Sequence, residues 1–218
     1  MNENIIIRKF EGKDREEVRR ICCDTADRGE AIEQFFPDRE FAADLLTCYY
    51  TDYEPESAFV AESSSGVVGY VQGCCNNRRY GLVMAWILIP QAVVKGFKRG
   101  VFFRAELWQI VRAMLCNWRR LFVWRKTSFD SHQGHIHIGI AKECRGRQVG
   151  KQLVEAFLKY AQTQGLNEIT ASVHEGNSAA CQFFSRLGFV VRERYPMIMA
   201  QGNKLECYHS LLYVKKIN

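Results

Sequence analysis

The segment "HIHIGIAKECRGRQVGKQLVEAF", His135 to Phe157, restricts the possible folds more than any other part of the chain. Ile136, Ile138 and Ile140 alternate with His135, His137 and Gly139, the two-residue period of a strand. Leu153, Val154, Phe157 and Leu158 then recur at three- and four-residue spacing, the period of a helix with one apolar face. A second strand-like run, Glu168–Val173, follows that helix. Strand, crossover helix and strand require at least one parallel strand pair.

The rest of the chain supplies antiparallel partners and more helices. "NIIIRKF" reads as a strand, and "DREEVRRICCDT" as a helix with Asp14 as N-cap and Val18, Ile21 and Cys22 facing inward. "PDREFAADLLTCYY" reads as a second helix, and "AFVAESSSGVVGYVQG" as a hairpin around a serine-glycine turn. After the crossover helix over 149–164 and the 168–173 strand come a helix, Ser178–Leu187, a strand, Phe189–Tyr195, and a last strand through "LECYHSLLYV". The expected fold class is α/β: a mixed, mostly antiparallel central sheet with one parallel pair and helices on both faces. One domain spans 1–218, with an insertion at 78–131.

At 218 residues and 47% hydrophobic content, the chain can bury a core without disulfide or metal staples. Its nine cysteines are scattered and include no C-x-x-C pair, which argues for reduced thiols, a cytoplasmic setting and no metal site. The start, "MNENIIIRKFEG", is too polar for a signal peptide. The longest uninterrupted apolar run, Leu82 to Ile89, is short of the ~20 residues of a membrane span, so none is expected.

Charge is unevenly distributed. Arg78 to Lys126 holds eleven Lys or Arg and one acid, Glu106, so this segment carries +10 within a chain of net +6. All four tryptophans (Trp86, Trp108, Trp118, Trp124) lie in it. Three readings stand: a helical cap packed on the sheet, a lid over an acceptor cleft, and a peripheral membrane element of basic and aromatic composition. Breaks are expected near Pro90, Gly96 and Gly100. Nucleic acid is not expected, because no binding motif is present.

Two glycines, two arginines and a glutamine sit where the strand becomes a helix. A helix N-terminus presents unpaired N–H groups and a partial positive charge, which suits an anion. Gly146 and Gly150 would let that anion approach the backbone, and Arg145, Arg147 and Lys151 would add charge at the rim. A phosphate, above all a pyrophosphate, is the natural ligand; the alternative is an ordinary turn with solvated arginines. The spacing is neither G-x-x-x-x-G-K-[ST] nor G-x-G-x-x-G.

In these residues the chain resembles the GNAT superfamily of N-acetyltransferases. The family's [Q/R]-x-x-G-x-[G/A] loop is matched by Arg145 and Gly150 at its ends, with Gln148 at the inner glycine position. Its second signature, N-x-x-A-x-x-x-Y-x-x-x-G-F, is matched by Asn177, Ala180, Gly188 and Phe189, with Phe184 at the tyrosine position. The resemblance implies direct transfer of an acetyl group from acetyl-CoA to an amine acceptor, with acetyl-CoA as cosubstrate and no metal. It implies that backbone groups of Ile138, Gly139 and Ile140 meet the thioester and pantetheine arm, with a bulge expected at Gly139. It also implies that Arg145, Gly146, Arg147, Gln148, Val149, Gly150 and Lys151 hold the pyrophosphate, and that Asn177 positions the CoA arm. Gln148 is expected in helical conformation, where no glycine is required.

Deprotonating an amine needs a base, and His135 and His137, on one strand face, are the candidates. The alternative is that they fill a polar patch; His174 and Glu175 are the reserves. Phe184 cannot protonate the leaving thiolate, so Tyr195, Cys181 or water would have to. The acidic connection Asp24–Pro37 suits a cationic acceptor or is simply solvated. A non-catalytic acyl-CoA-binding module is the rival to an enzyme, and a homodimer is left open.

Overall fold

The computed structural model describes residues 5–34, 38–105, 107–113, 115–117, 132–201 and 204–217. Seven strands form one sheet: β1 (Ile6–Lys9), β2 (Ala58–Ser63), β3 (Gly66–Cys74), β4 (Gln133–Ile140), β5 (Glu168–His174), β6 (Val190–Gln201) and β7 (Lys204–Lys216). Their order is β1-β2-β3-β4-β5-β7-β6, and every neighbouring pair is antiparallel except β4–β5. The helices are α1 (Arg15–Thr25), α2 (Arg39–Cys48), α3 (Asn77–Val83), α4 (Ile89–Lys98), a helical stretch over 105, 107–113 and 115–117 (α5), α6 (Val149–Thr163) and α7 (Ser178–Arg186). The expected α/β class and mixed sheet are both present.

The crossover helix α6 packs its periodic residues into the main core. Leu153, Val154 and Phe157 are fully buried against Val71, Ile136 and Ile169. Burial of this kind stabilises by about 1.5–3 kcal/mol per side chain. On the other sheet face α1 buries Val18, Ile21 and Cys22 against Val60 and Tyr70. Asp14 stands at the expected N-cap position of α1, but its side chain, 3% exposed, caps no N–H of that helix. It accepts instead from Glu11 N at 2.9 Å in the preceding turn and from the Arg8 guanidinium through both carboxylate oxygens, at 2.7 and 2.9 Å.

The insertion contains no break at Pro90. Residues Asn77–Lys98 form one continuous helix, because a π turn over Met84–Leu88 separates α3 from α4. Ile89 donates to Met84 O, five residues back, and Pro90 follows at the start of α4. The wider turn absorbs the N–H that proline lacks. The helix is therefore long and apolar enough to cross a membrane by length and composition, although 17% of its apolar window is buried. The expectation from Leu82–Ile89 alone missed this, since it stopped at the proline. Gly96 lies inside α4, where a Cβ would meet Phe41 of α2 at 3.2 Å. Gly100, at φ +70°, ends the helix as expected. Trp118 and Trp124 lie outside the described residues.

Candidate active site

The parallel pair is short. Registered partners are Gln133–Glu168, Gly134–Ile169 and His135–Thr170, and none is present beyond them. From Ile136 to Ile140, β4 continues to pair with β3, while β5 pairs with β7. The two strands thus part, leaving a gap in the sheet. In an antiparallel ladder alternate residues turn their backbone groups toward the partner. Ala141 donates to Val68 O of β3, so residues of odd number face β3 and Ile136, Ile138 and Ile140 face the gap. Of the three positions expected to meet a thioester, Ile138 and Ile140 therefore turn their backbone groups toward the gap. Gly139 serves another purpose. The β3–β4 register is regular there, with no bulge, and a Cβ at Gly139 would lie 2.6 Å from the Tyr70 ring and 3.0 Å from Thr25 Oγ1. The glycine admits Tyr70 and the end of α1 against the strand.

At the start of α6 the backbone bends sharply. Gly146 has φ +79° and Gln148 φ +62°, both left-handed. Among the described residues no acceptor takes the N–H groups of Gly146, Arg147, Gln148, Val149 or Gly150, and the first helical bond there runs from Gln152 to Gln148 O. Such a turn, feeding a helix, makes a concave nest of N–H donors suited to phosphate. The expectation of a helical Gln148 is incorrect: the position is left-handed, which is why glycine suits it. A side chain there costs about 1–2 kcal/mol. Gln148→Gly is therefore expected to raise stability by about 1 kcal/mol in a urea titration; a lower midpoint would contradict the left-handed assignment.

The other residues of this loop divide by their partners. Arg145 is latched: Nε donates to Ile140 O at 3.1 Å and a terminal nitrogen to Gly29 O at 2.8 Å. Among the described residues exposed Arg147 makes no ion pair, and exposed Lys151 meets only Glu155, at 3.9 Å. Val149 is buried in the core. Gly150 is a packing glycine, since a Cβ would stand 2.8 Å from Ile140 Cδ1 and 3.0 Å from Phe183. Asn177 caps α7 by accepting from Ala180 N at 3.0 Å.

The two histidines of β4 differ sharply. His135 has both ring nitrogens engaged: Nδ1 with Asn77 Oδ1 and Nε2 with the Tyr50 hydroxyl, each at 2.8 Å. Asn77 Nδ2 donates to Gln133 O at 2.7 Å, which fixes its amide so that Oδ1 accepts from His135 Nδ1–H. Nε2 then accepts from Tyr50. The Tyr80 ring stands edge-on at 4.9 Å, and burial, with His137 nearby, lowers the His135 pKa to about 4. This is a neutral imidazole held in an aromatic cluster. His137 is exposed and has no hydrogen-bond partner among the described residues. Desolvation by the protein atoms crowding its ring, part of which stays open to solvent, moves its pKa below 6.5. Its registered partner is Gln72, which is 1% exposed, donates to Leu46 O at 2.7 Å and has an unpaired Oε1.

The reserves are committed elsewhere. His174 stacks on Tyr208 at 4.3 Å and accepts from Gly176 N, and Glu175 pairs with Arg194 at 2.8 Å. Phe184 is buried among Phe183, Phe189 and Tyr213. Tyr195 hydroxyl lies 2.8 Å from Ser172 Oγ, while Cys181 makes long contacts with the carbonyls of His174 and Glu175. The acids of the α1–α2 connection are neutralised within the fold. Asp24 and Glu33 bind Arg39, Asp27 binds Arg28, and Glu30 binds Lys142. They offer little free charge to a cationic acceptor. Sequence reasoning missed Tyr50, Asn77 and Gln72, which no local pattern marks. Among the described residues no group of three His, Cys, Asp or Glu could hold a metal ion.

Comparison with known proteins agrees with this geometry. The Acetyltransferase (GNAT) family model matches residues 26–189. An L-methionine sulfoximine/L-methionine sulfone acetyltransferase of Pseudomonas paraeruginosa is 30% identical over 77 residues, covering 34% of this chain and 44% of the relative. The chain thus spans less than half the length of the curated relatives it matches. The crystal structure of SsHAT superposes with a TM-score of 0.70 at 21% identity, covering 98% of each chain. That of yncA from Salmonella typhimurium, solved with its cofactor acetyl-CoA, gives 0.59 at 14% identity over 99% of this chain and 95% of the other. These two likenesses are of fold. Because the matched family span takes in the parted strands and the left-handed turn alike, the chain belongs to the GNAT acetyltransferase family.

Proposed function

We propose that the protein transfers an acetyl group from acetyl-CoA to a primary amine, by direct attack while both substrates are bound. The observation that carries this reading is the end of β4–β5 pairing at His135 and Thr170, which leaves the backbone of Ile138, next to an unengaged imidazole, and the N–H of Ile140 facing the gap, while the Ile140 carbonyl accepts from Arg145. The residues fit acetyl-CoA. The amides of Gly146 to Gly150 would hold its pyrophosphate, with Arg147 and Lys151 at the rim, while Arg145 shapes the turn from behind. Backbone N–H groups facing the gap would stabilise charge developing on the thioester oxygen. His137, neutral at pH 7, would take the proton of the attacking amine directly or through water. A thiol has a pKa near 8.5, so CoA leaves readily and Phe184 is tolerable at the position where an acid is otherwise expected.

Calorimetry with CoA, followed by thiol release from acetyl-CoA with a panel of amines, tests the reading. The panel includes methionine sulfoximine, for which the Pseudomonas relative is named. Saturable heat and amine-dependent thiol release are expected. No heat at millimolar CoA would remove the proposal. The second reading, a non-catalytic acyl-CoA module, is favoured by the buried Phe184 and gains the assignment if CoA binds without turnover on any amine.

A further inference from the structure

We infer that the outward face of the helical insertion docks on an anionic membrane surface. Along the continuous Asn77–Lys98 helix, Leu82, Trp86, Ile89, Val93 and Phe97 recur every three to four residues and are exposed. Trp86 is 78% and Phe97 64% exposed, and the Phe97 ring continues into Phe103, 84% exposed, at 6.5 Å. Large apolar side chains in one row at this exposure mark a binding surface. The opposite side of the helix is already fixed to the fold. Ala92 and Gly96 are buried, Gly96 against Phe41, and Lys95 and Arg99 pair with Asp44 and Asp38 of the α2 region. A helix bound along one side can lie in a bilayer interface but cannot span it.

Charge selects the occupant. Residues 77–105 include six cations (Arg78, Arg79, Lys95, Lys98, Arg99, Arg104) and no acid. Arg78 and Arg79 at one end and Lys98 at the other are exposed and make no ion pair with the described residues. Two copies meeting face to face would bring these cations together, which is unfavourable at short range. Aromatic and aliphatic groups flanked by unpaired cations match the headgroup boundary of a bilayer rich in anionic lipid. The helix of 22 residues is about 33 Å long at ~1.5 Å per residue, and its apolar row, Leu82 to Phe97, covers about 23 Å of it in a straight line, which suits a plane better than a compact protein pocket.

The full-length protein would be mixed with vesicles of phosphatidylcholine alone or with phosphatidylglycerol, and binding read by co-sedimentation and tryptophan emission. Binding to the anionic vesicles, weakened by salt, with a blue shift in emission, is expected. The double variant Trp86→Ser/Phe97→Ser and the triple variant Arg78→Gln/Arg79→Gln/Lys98→Gln alter exposed side chains, so circular dichroism should stay native. Each should weaken vesicle binding by about tenfold or more. The inference is overturned by no sedimentation with anionic vesicles, by equal binding to zwitterionic ones, or by unchanged affinity of both variants. A dimer that Trp86→Ser/Phe97→Ser converts to monomer would assign the face to a second copy instead. None of these readouts depends on acetyl transfer.

Discussion

His137→Ala is expected to lower amine-dependent thiol release from acetyl-CoA by about 100- to 1,000-fold while leaving CoA binding and the unfolding midpoint close to those of the wild type. The expectation follows from the contrast between two histidines on one strand face. His135 donates to Asn77 and accepts from Tyr50, so it has no free lone pair for a substrate proton. His137 has no such partners, and it sits beside the strand residues whose backbone faces the gap. Its lowered pKa keeps it in the base form at neutral pH. The sign of the pH profile follows. A base with pKa below 6.5 must lose activity as pH falls through that pKa, and give a plateau above it. In His137→Ala this acid limb should disappear together with most of the rate. Near-normal turnover, or an unchanged acid limb, would move the proton acceptor elsewhere. The exposed position of His137 makes a folding defect a poor explanation for a lost rate.

What the sequence made legible was what period and local chemistry encode. Alternating isoleucines gave β4, three- and four-residue spacing gave α6, and the crossover between them gave the parallel pair. The serine-glycine turn marked the β2–β3 hairpin, though not the register shift between Ala61 and Glu62. What stayed hidden depends on contacts between distant positions or on backbone angles. Tyr50 and Asn77 hold His135 from 85 and 58 positions away, and no spacing rule reports that a histidine's nitrogens are taken. Gln148 looks like any helix former, yet the turn forces it left-handed. Pro90 reads as a helix breaker until a π turn accommodates it. The acids between α1 and α2 look available to a cation because their partners, Arg39 and Lys142, come from other elements. Gly139 and Gly150 were visible as glycines, but their purpose was not. Each admits a neighbouring ring or methyl group, a matter of packing that composition cannot express.

The engagement of His135 has a consequence for stability in acid. In the unfolded chain its pKa is near 6.5, and in the fold it is about 4. The folded state therefore resists a proton that the unfolded state accepts, and stability falls as pH drops through the interval between these values. Above pH 6.5 the neutral ring's contribution is fully present; by pH 4 it is largely gone. At 1.36 kcal/mol per unit the full shift corresponds to about 3 kcal/mol, of which most is lost by pH 4.5. Asp14, Asp44 and Asp52 are held below 3.8 by their arginine and lysine partners despite burial, so their losses come at lower pH. Glu30, Glu62 and Glu175, held below 4.5 by Lys142, Arg8 and Arg194, begin to lose theirs near pH 4.5, equally in the wild type and in a His135 variant, so the difference between the two isolates the imidazole. Urea unfolding at pH 7 and pH 4.5 is expected to show a drop of about 2–3 kcal/mol for the wild type. His135→Gln should be weaker at pH 7, because Tyr50 and Asn77 lose well-placed partners, but should lack most of that drop. A wild-type slope retained in His135→Gln would show that the proton is taken up elsewhere, with His137, lowered by desolvation, and His174, lowered by burial and by Arg28, the next groups to test.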